Sequence, residues 1–138
     1  EQRLPARARG VTIGFAGDAP IVPADAGKLR TVFANLLANA IAFSPSGGHI
    51  RIELGLIGEK VVVDCRDEGP GIAADELERV FEPFFQGRRS PAARADARDH
   101  GSGIGLAIVR ELIGAHRGRV HALPSERGAH FRVELPHA

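Results

Sequence analysis

The stretch "HIRIELGLIGEKVVVDCRDEGPG", from His49 to Gly71, restricts the fold more than any other. Ile50, Ile52, Leu54 and Leu56 alternate with polar residues, "IGEK" turns the chain, and Val61, Val63 and Cys65 alternate again. A period of two is the mark of strands that bury one face, and the turn between the runs predicts a β-hairpin. Asp67 stands at the parity of Val61, Val63 and Cys65, so a strand that persists aims its carboxylate at the buried side. A carboxylate there needs a partner. The alternative is a turn-forming Asp ahead of "EGPG".

The same pairing recurs along the chain. Val11, Ile13 and Phe15 alternate, "GDAP" turns, and Ile21 and Val22 make a second short apolar piece, so two strands are expected at the start. From Asp25, a plausible N-cap, Leu29, Val32, Phe33, Leu36, Leu37 and Ala40 recur at helical spacing until "SPSGG". A short helix is expected from about Ala73 to Val80, then "FEPFFQG", then a polar, Arg-rich segment without periodicity up to His100. Ile104, Ile108, Val109, Leu112 and Ile113 predict a second long helix. Val120 with Ala122, then Ala129, Phe131, Val133 and Leu135, predict a closing hairpin. Strands in adjacent pairs separated by helices favour an α+β class: a two-layer α/β sandwich whose mixed, mainly antiparallel sheet is covered on one face by about three helices.

Residues 1–138 suit a single domain. Eighteen basic and 17 acidic residues leave a formal charge of +1, which provides no global field for nucleic acid or an anionic membrane. Sixteen of the basic residues are Arg, which reflects coding bias rather than recognition, and without Tyr or Trp a base-stacking surface is disfavoured. A lone Cys65 excludes an intrachain disulfide and a cysteine-cluster metal site. No apolar run approaches the roughly 18 residues of a membrane span and no signal peptide opens the chain, so a cytosolic location is expected. The opening "EQRLPARARG" reads as cut from a longer protein.

Three groups of residues invite a chemical reading. Asn35 and Asn39 share one shoulder of the first helix, and an amide oxygen can complete the shell of Mg²⁺, although surface amides are the commoner case. Asp67 can accept a hydrogen bond from the exocyclic amine of adenine, with Gly69 and Gly71 letting a base lie flat on the backbone. In "RDHGSGIGLAIVREL", Gly101, Gly103 and Gly105 precede a helix, as an anion cradle requires. A P-loop fails because Leu106 and Ala107 stand where Lys and Ser or Thr belong, and a dinucleotide fingerprint fails for want of a preceding strand. Arg88, Arg89, Arg94 and Arg98 lie between the aromatic "FEPFF" anchor and these glycines, the ingredients of a mobile lid at about 86–100.

In order, "NLLANAIAFSP", "DEGPG", "FEPFF" and "GSGIGLAIV" resemble the four boxes of the ATP-binding catalytic domain of bacterial sensor histidine kinases. That family belongs to the superfamily of gyrase, mismatch-repair and heat-shock chaperone ATPases. The resemblance implies a Bergerat-type sandwich. It implies Asn39 as the Mg²⁺ ligand, Asn35 as the amide one turn earlier, Asp67 as the adenine-binding carboxylate and Phe43 as an aromatic beside the nucleotide. It extends the ATP-contacting set to Gly69, Gly71, Ile72, Phe84, Gly101, Ser102, Gly103, Ile104, Gly105 and Leu106. The implied partners are a dimerisation domain bearing the phosphoacceptor His and a response regulator, within a parent protein anchored in the inner membrane.

Departures from the family pattern matter to the chemistry. Ala42 replaces a usual Lys or Arg near the phosphates, and Arg88 or Arg89 is expected to substitute for it. Gln86 stands where Arg is common, His100 where Gly often precedes the second glycine box, and Arg117 where "HGG" has Gly. Asn35 occupies the place of the water-activating Glu of the hydrolytic relatives, and an amide cannot take a proton at neutral pH. Phosphoryl transfer is therefore favoured over hydrolysis. None of the six histidines is followed by Asp or Glu, so the phosphoacceptor motif is missing and this fragment is not expected to phosphorylate itself. The rival readings are an anti-sigma-type serine kinase and a nucleotide-binding module without catalysis.

Overall fold

A computed structural model describes residues 12–16, 25–85 and 104–136. The predicted hairpin is present as β2 (His49–Ile57) and β3 (Lys60–Arg66), in antiparallel register with Ile52 opposite Cys65 and Leu54 opposite Val63. The closing hairpin is β4 (Arg119–Leu123) and β5 (His130–Pro136). β1 (Thr12–Ala16) pairs in parallel with β2, and β5 pairs antiparallel with β3, giving a five-stranded sheet in the order β1-β2-β3-β5-β4. The sheet is thus mixed and mainly antiparallel. The second opening strand expected at Ile21 and Val22 lies outside the described residues.

One face of the sheet carries Ile50, Ile52, Val61, Val63, Cys65, Phe131, Val133 and Leu135, all buried. Against it lie helix α1 (Ala26–Phe43) and helix α2 (Gly105–Ala115). Asp25 caps α1, its Oδ1 accepting from the Lys28 N–H at 2.9 Å. Val32, Leu36 and Ala40 point into the core as their spacing requires, with Leu29, Phe33 and Leu37 packed at its margin. α1 ends at Phe43 because Pro45 follows, and proline disfavours helical backbone in the residue before it. In α2, Val109 and Ile113 are fully buried, whereas Ile104 and Ile108, on the flank of that stripe, remain exposed.

The short helix expected at Ala73–Val80 is instead two 3₁₀ turns, Ala74–Glu76 and Arg79–Phe81. Neither has a side-chain cap, and runs this short favour the tighter i→i+3 bond. Phe81 anchors the second turn, 4% exposed and edge-on to Phe131 with ring centroids 6.0 Å apart. On this point "FEPFF" reads as core.

The opposite face of the sheet is mainly polar, although Val62 on it is buried. Asp64 accepts from Arg132 Nε at 2.8 Å and meets His130 Nε2 at 2.6 Å, and Glu134 lies 3.4 Å from Lys60 and 3.3 Å from His121. One apolar and one polar face is the pattern of a sheet covered on a single side.

Candidate functional site

Asp67 follows directly on β3 and is 4% exposed. Its Oδ1 accepts from the Gly69 N–H at 2.9 Å and from the Ala129 N–H at 3.1 Å, while its own N–H donates to the Ala129 carbonyl. Those contacts fix the carboxylate before any ligand arrives. The approach of the 124–129 connection is close enough that a methyl group at Gly128 would stand 1.8 Å from the Asp67 carbonyl oxygen, and Gly128 has φ +70°. Gly128 and Ala129 therefore belong to the site. The sequence reading missed them, although a glycine just ahead of a final strand was the available signal.

Gly69 brings the same segment against the end of α1, where a methyl group would stand 2.0 Å from the Phe43 carbonyl oxygen. Gly71 lies over Gly128, at 3.1 Å on the same measure. Phe43, Asp67, Gly69 and Gly71 are thus brought together at one end of the sheet. Ile72 and Leu106 are half-buried and pack against the core. Phe84 is 69% exposed, in the left-handed region at φ 64°, at the edge of the segment 86–103. An aromatic side chain there is a backbone outlier.

Midway along α1, Asn35 Nδ2 donates to the Thr31 carbonyl at 2.9 Å, and its Oδ1 would be 3.0 Å from a methyl group at Gly105. Asn35 thus faces the first turn of α2. Ile104, at the cap position of α2, provides no side-chain hydrogen bond, and the first turn holds no acidic residue. Among the described residues, no cap side chain bonds the leading N–H groups of that helix and its first turn carries no carboxylate, an arrangement suited to an anion. Asn39 is half-buried one turn beyond Asn35. Ala42 is 2% exposed, so the position the family often fills with a cation is packed in this chain. Arg88, Arg89, Gly101, Ser102 and Gly103, and with them the expected lid at 86–100, lie outside the described residues.

Two electrostatic facts limit the chemistry. Burial, reinforced by Asp67 and Asp64, pushes the Cys65 thiol up to about 12, so it is no nucleophile at neutral pH. Among the described residues no group of three His, Cys, Asp or Glu side chains could hold a metal ion.

Residues 24–138 match the family model described as histidine kinase-, DNA gyrase B- and HSP90-like ATPase. The chain is 41% identical over 137 residues to the sensor protein SphS of Synechococcus elongatus, covering 94% of this chain and 33% of that protein. It thus spans about a third of the length of that curated relative. Among solved structures it superposes on the mycobacterial sensor histidine kinase MprB with a TM-score of 0.83 at 29% identity, covering 98% of this chain and 90% of that one. It also superposes on full-length ShkA in complex with AMPPNP with a TM-score of 0.80 at 31% identity, covering 99% of this chain and 28% of that one. The four boxes, the sheet order and the buried carboxylate thus have one explanation: the chain belongs to the histidine kinase-, gyrase B- and HSP90-like ATPase family, in its sensor histidine kinase branch.

Proposed function

We propose that this chain binds Mg-ATP and transfers the γ-phosphoryl group to a histidine on a separate dimerisation domain. The observation that carries the reading is Asp67, a carboxylate buried at the end of β3 and oriented by two backbone N–H groups. An anion so fixed is complementary to the exocyclic amine of adenine and repels the carbonyl that guanine presents at that place. Gly69 and Gly71 keep the floor beside it free of side chains. Further support comes from ShkA, the structural neighbour that was solved with AMPPNP.

The phosphate end of the ligand is assigned to the start of α2 and to Gly101, Gly103 and Gly105. Asn39 is assigned to the metal, and Mg²⁺, when bound, neutralises charge on the phosphates. Asn35 orients and does not deprotonate: its NH₂ is committed to the Thr31 carbonyl, and a neutral amide takes no proton from water. Transfer to an imported acceptor follows from that chemistry better than hydrolysis. Arg88 and Arg89 are assigned the positive charge that Ala42 does not provide. In the parent protein, the domain would lie on the cytoplasmic side of an inner-membrane sensor and pass phosphate on to a response regulator. No helix among the described residues is long and apolar enough to cross a membrane.

The test is phosphotransfer in trans, mixing this chain, Mg-ATP and a separately made dimerisation domain. Acid-labile phosphate is expected on that domain and none on this chain alone. Labelling of this chain by itself would contradict the reading. Tight ATP binding without transfer to any dimerisation domain would favour the non-catalytic module, for which Ala42 is the motivating residue, and acid-stable phosphoserine on an acceptor protein would favour the serine kinase.

A further inference from the structure

Asp67 and Glu68 stand side by side at the end of β3, the first buried and the second half-buried. Asp67 turns into the site, and Glu68 reaches across the end of the sheet. The last rung between β2 and β3 joins Arg51 to Arg66, so the same register carried two residues further would set His49 opposite Glu68. A side chain takes over there from the backbone ladder: Glu68 Oε1 accepts from the His49 N–H at 3.0 Å. Its other oxygen, Oε2, lies 3.7 Å from a guanidinium nitrogen of Arg127, in the 124–129 connection. Ser125 shapes that connection, its Oγ donating to the Arg127 carbonyl at 2.9 Å and accepting from the Arg127 N–H at 3.3 Å. Two residues after Arg127, Ala129 donates to Asp67 Oδ1. Glu68 thus grips from outside the two segments whose N–H groups, those of Gly69 and Ala129, aim Asp67 from inside.

We propose that Glu68 is a positioning residue for Asp67: by bonding the start of β2 it fixes the 67–71 turn, and with it the direction in which the buried carboxylate meets a ligand. Its effect on binding rests on the adenine reading above, whereas the brace itself does not. The two contacts of Glu68 differ in weight. Arg127 is 76% exposed and its ion pair is loose, the kind of surface pair that contributes little. The His49 bond has the geometry of a hydrogen bond, and an ionised acceptor makes it stronger than a neutral one. Gly69 and Gly71, bare where a base approaches, have no side chains with which to hold the turn. His49 is exposed, so without Glu68 water satisfies its N–H and the fold as a whole loses little. The turn, however, loses its tether to β2. A brace of this kind predicts a local loosening at Asp67 without a matching loss of global stability.

The experiment uses the 138-residue chain and its Glu68→Ala and Glu68→Gln variants. In native-state amide hydrogen exchange, Glu68→Ala should speed exchange at Gly69 and Ala129 together by about tenfold, while Val63 and Val133, paired in mid-sheet, keep their rates. Glu68→Gln retains a side-chain oxygen for the His49 N–H and should restore the slow exchange. In calorimetric titration, Glu68→Ala should weaken Mg-ATP binding by about fivefold and narrow the preference over Mg-GTP, and the glutamine variant should recover most of both. Unchanged exchange at Gly69 and Ala129 in Glu68→Ala, acceleration spread evenly over the sheet, a glutamine variant that behaves as the alanine one, or faster exchange with ATP affinity intact would overturn the proposal. A parent chain that shows no preference for ATP would overturn the adenine reading and the effect on binding, and the exchange rates would still decide the brace.

Discussion

Gly105 and Asn35 form a contact whose energetic sign can be tested. Alanine is normally the better helix residue by about 1 kcal/mol, but at Gly105 its methyl group would meet Asn35 Oδ1 at 3.0 Å. Gly105→Ala alone should therefore be neutral or destabilising, and in an Asn35→Ala background it should stabilise by roughly 0.5–1 kcal/mol. Urea unfolding of the four proteins measures this, and additivity would show that the contact is absent. The sequence carried Asn35, Asn39 and Asp67 to their places because parity and helical spacing are local rules. It could not show Gly128 and Ala129 closing on Asp67, since they stand about sixty residues away and their role is a backbone approach that leaves no side-chain signature. Nor could it show His116 reaching Asp25, which depends on how two helices pack.

The end of α2 is a helix stop with one residue out of type. Gly118 N–H returns to the Ile113 carbonyl and Arg117 N–H to that of Gly114, the paired bonds of a Schellman motif, with Arg117 in the left-handed position at φ 62°. Arg117→Gly should raise unfolding free energy by about 0.5–1 kcal/mol through relief of that strain. The next position behaves oppositely. A methyl group at Gly118 would stand 2.3 Å from the Glu134 carbonyl oxygen, so Gly118→Ala should cost about 2 kcal/mol or more. Thermal denaturation of both variants separates the two roles, and equal effects would contradict them. Elements with a strong period, α1 and the two hairpins, were legible in the sequence. The 73–81 region was not resolved into its two turns, because a 3₁₀ turn and a short α-helix share their apolar spacing over so few residues.

For the whole molecule, the polar face of the sheet sets the response to acid. Burial alone would raise the Asp64 carboxyl, but hydrogen bonds from Arg132 and then His130 outweigh it and hold the group below its ordinary value of 3.8. A depressed folded-state value means a stabilising contribution that is fully present above 3.8 and is lost as pH falls through the lower folded value. Stability owed to Asp64 should thus be flat from pH 7 to 5 and should decline only below about pH 4. Arg132→Ala, which leaves the largely buried carboxylate with His130 alone, should cost about 1–3 kcal/mol at pH 7 and move acid unfolding to higher pH. Unfolding curves at pH 7, 5 and 3 test both statements. An Arg132→Ala variant as acid-resistant as the parent would contradict them.

Adenine recognition by one buried carboxylate is the claim from which the phosphate, metal and acceptor assignments descend. Its most direct measurement is calorimetric titration of the chain and of Asp67→Asn with Mg-ATP and Mg-GTP. The asparagine can still accept from Gly69 and Ala129 through its oxygen, so folding should be preserved within about 1 kcal/mol. ATP should bind the parent at least tenfold more tightly than GTP, and Asp67→Asn should abolish that preference. Equal binding of the two nucleotides by the parent, or an Asp67→Asn variant with the preference intact, would contradict the account.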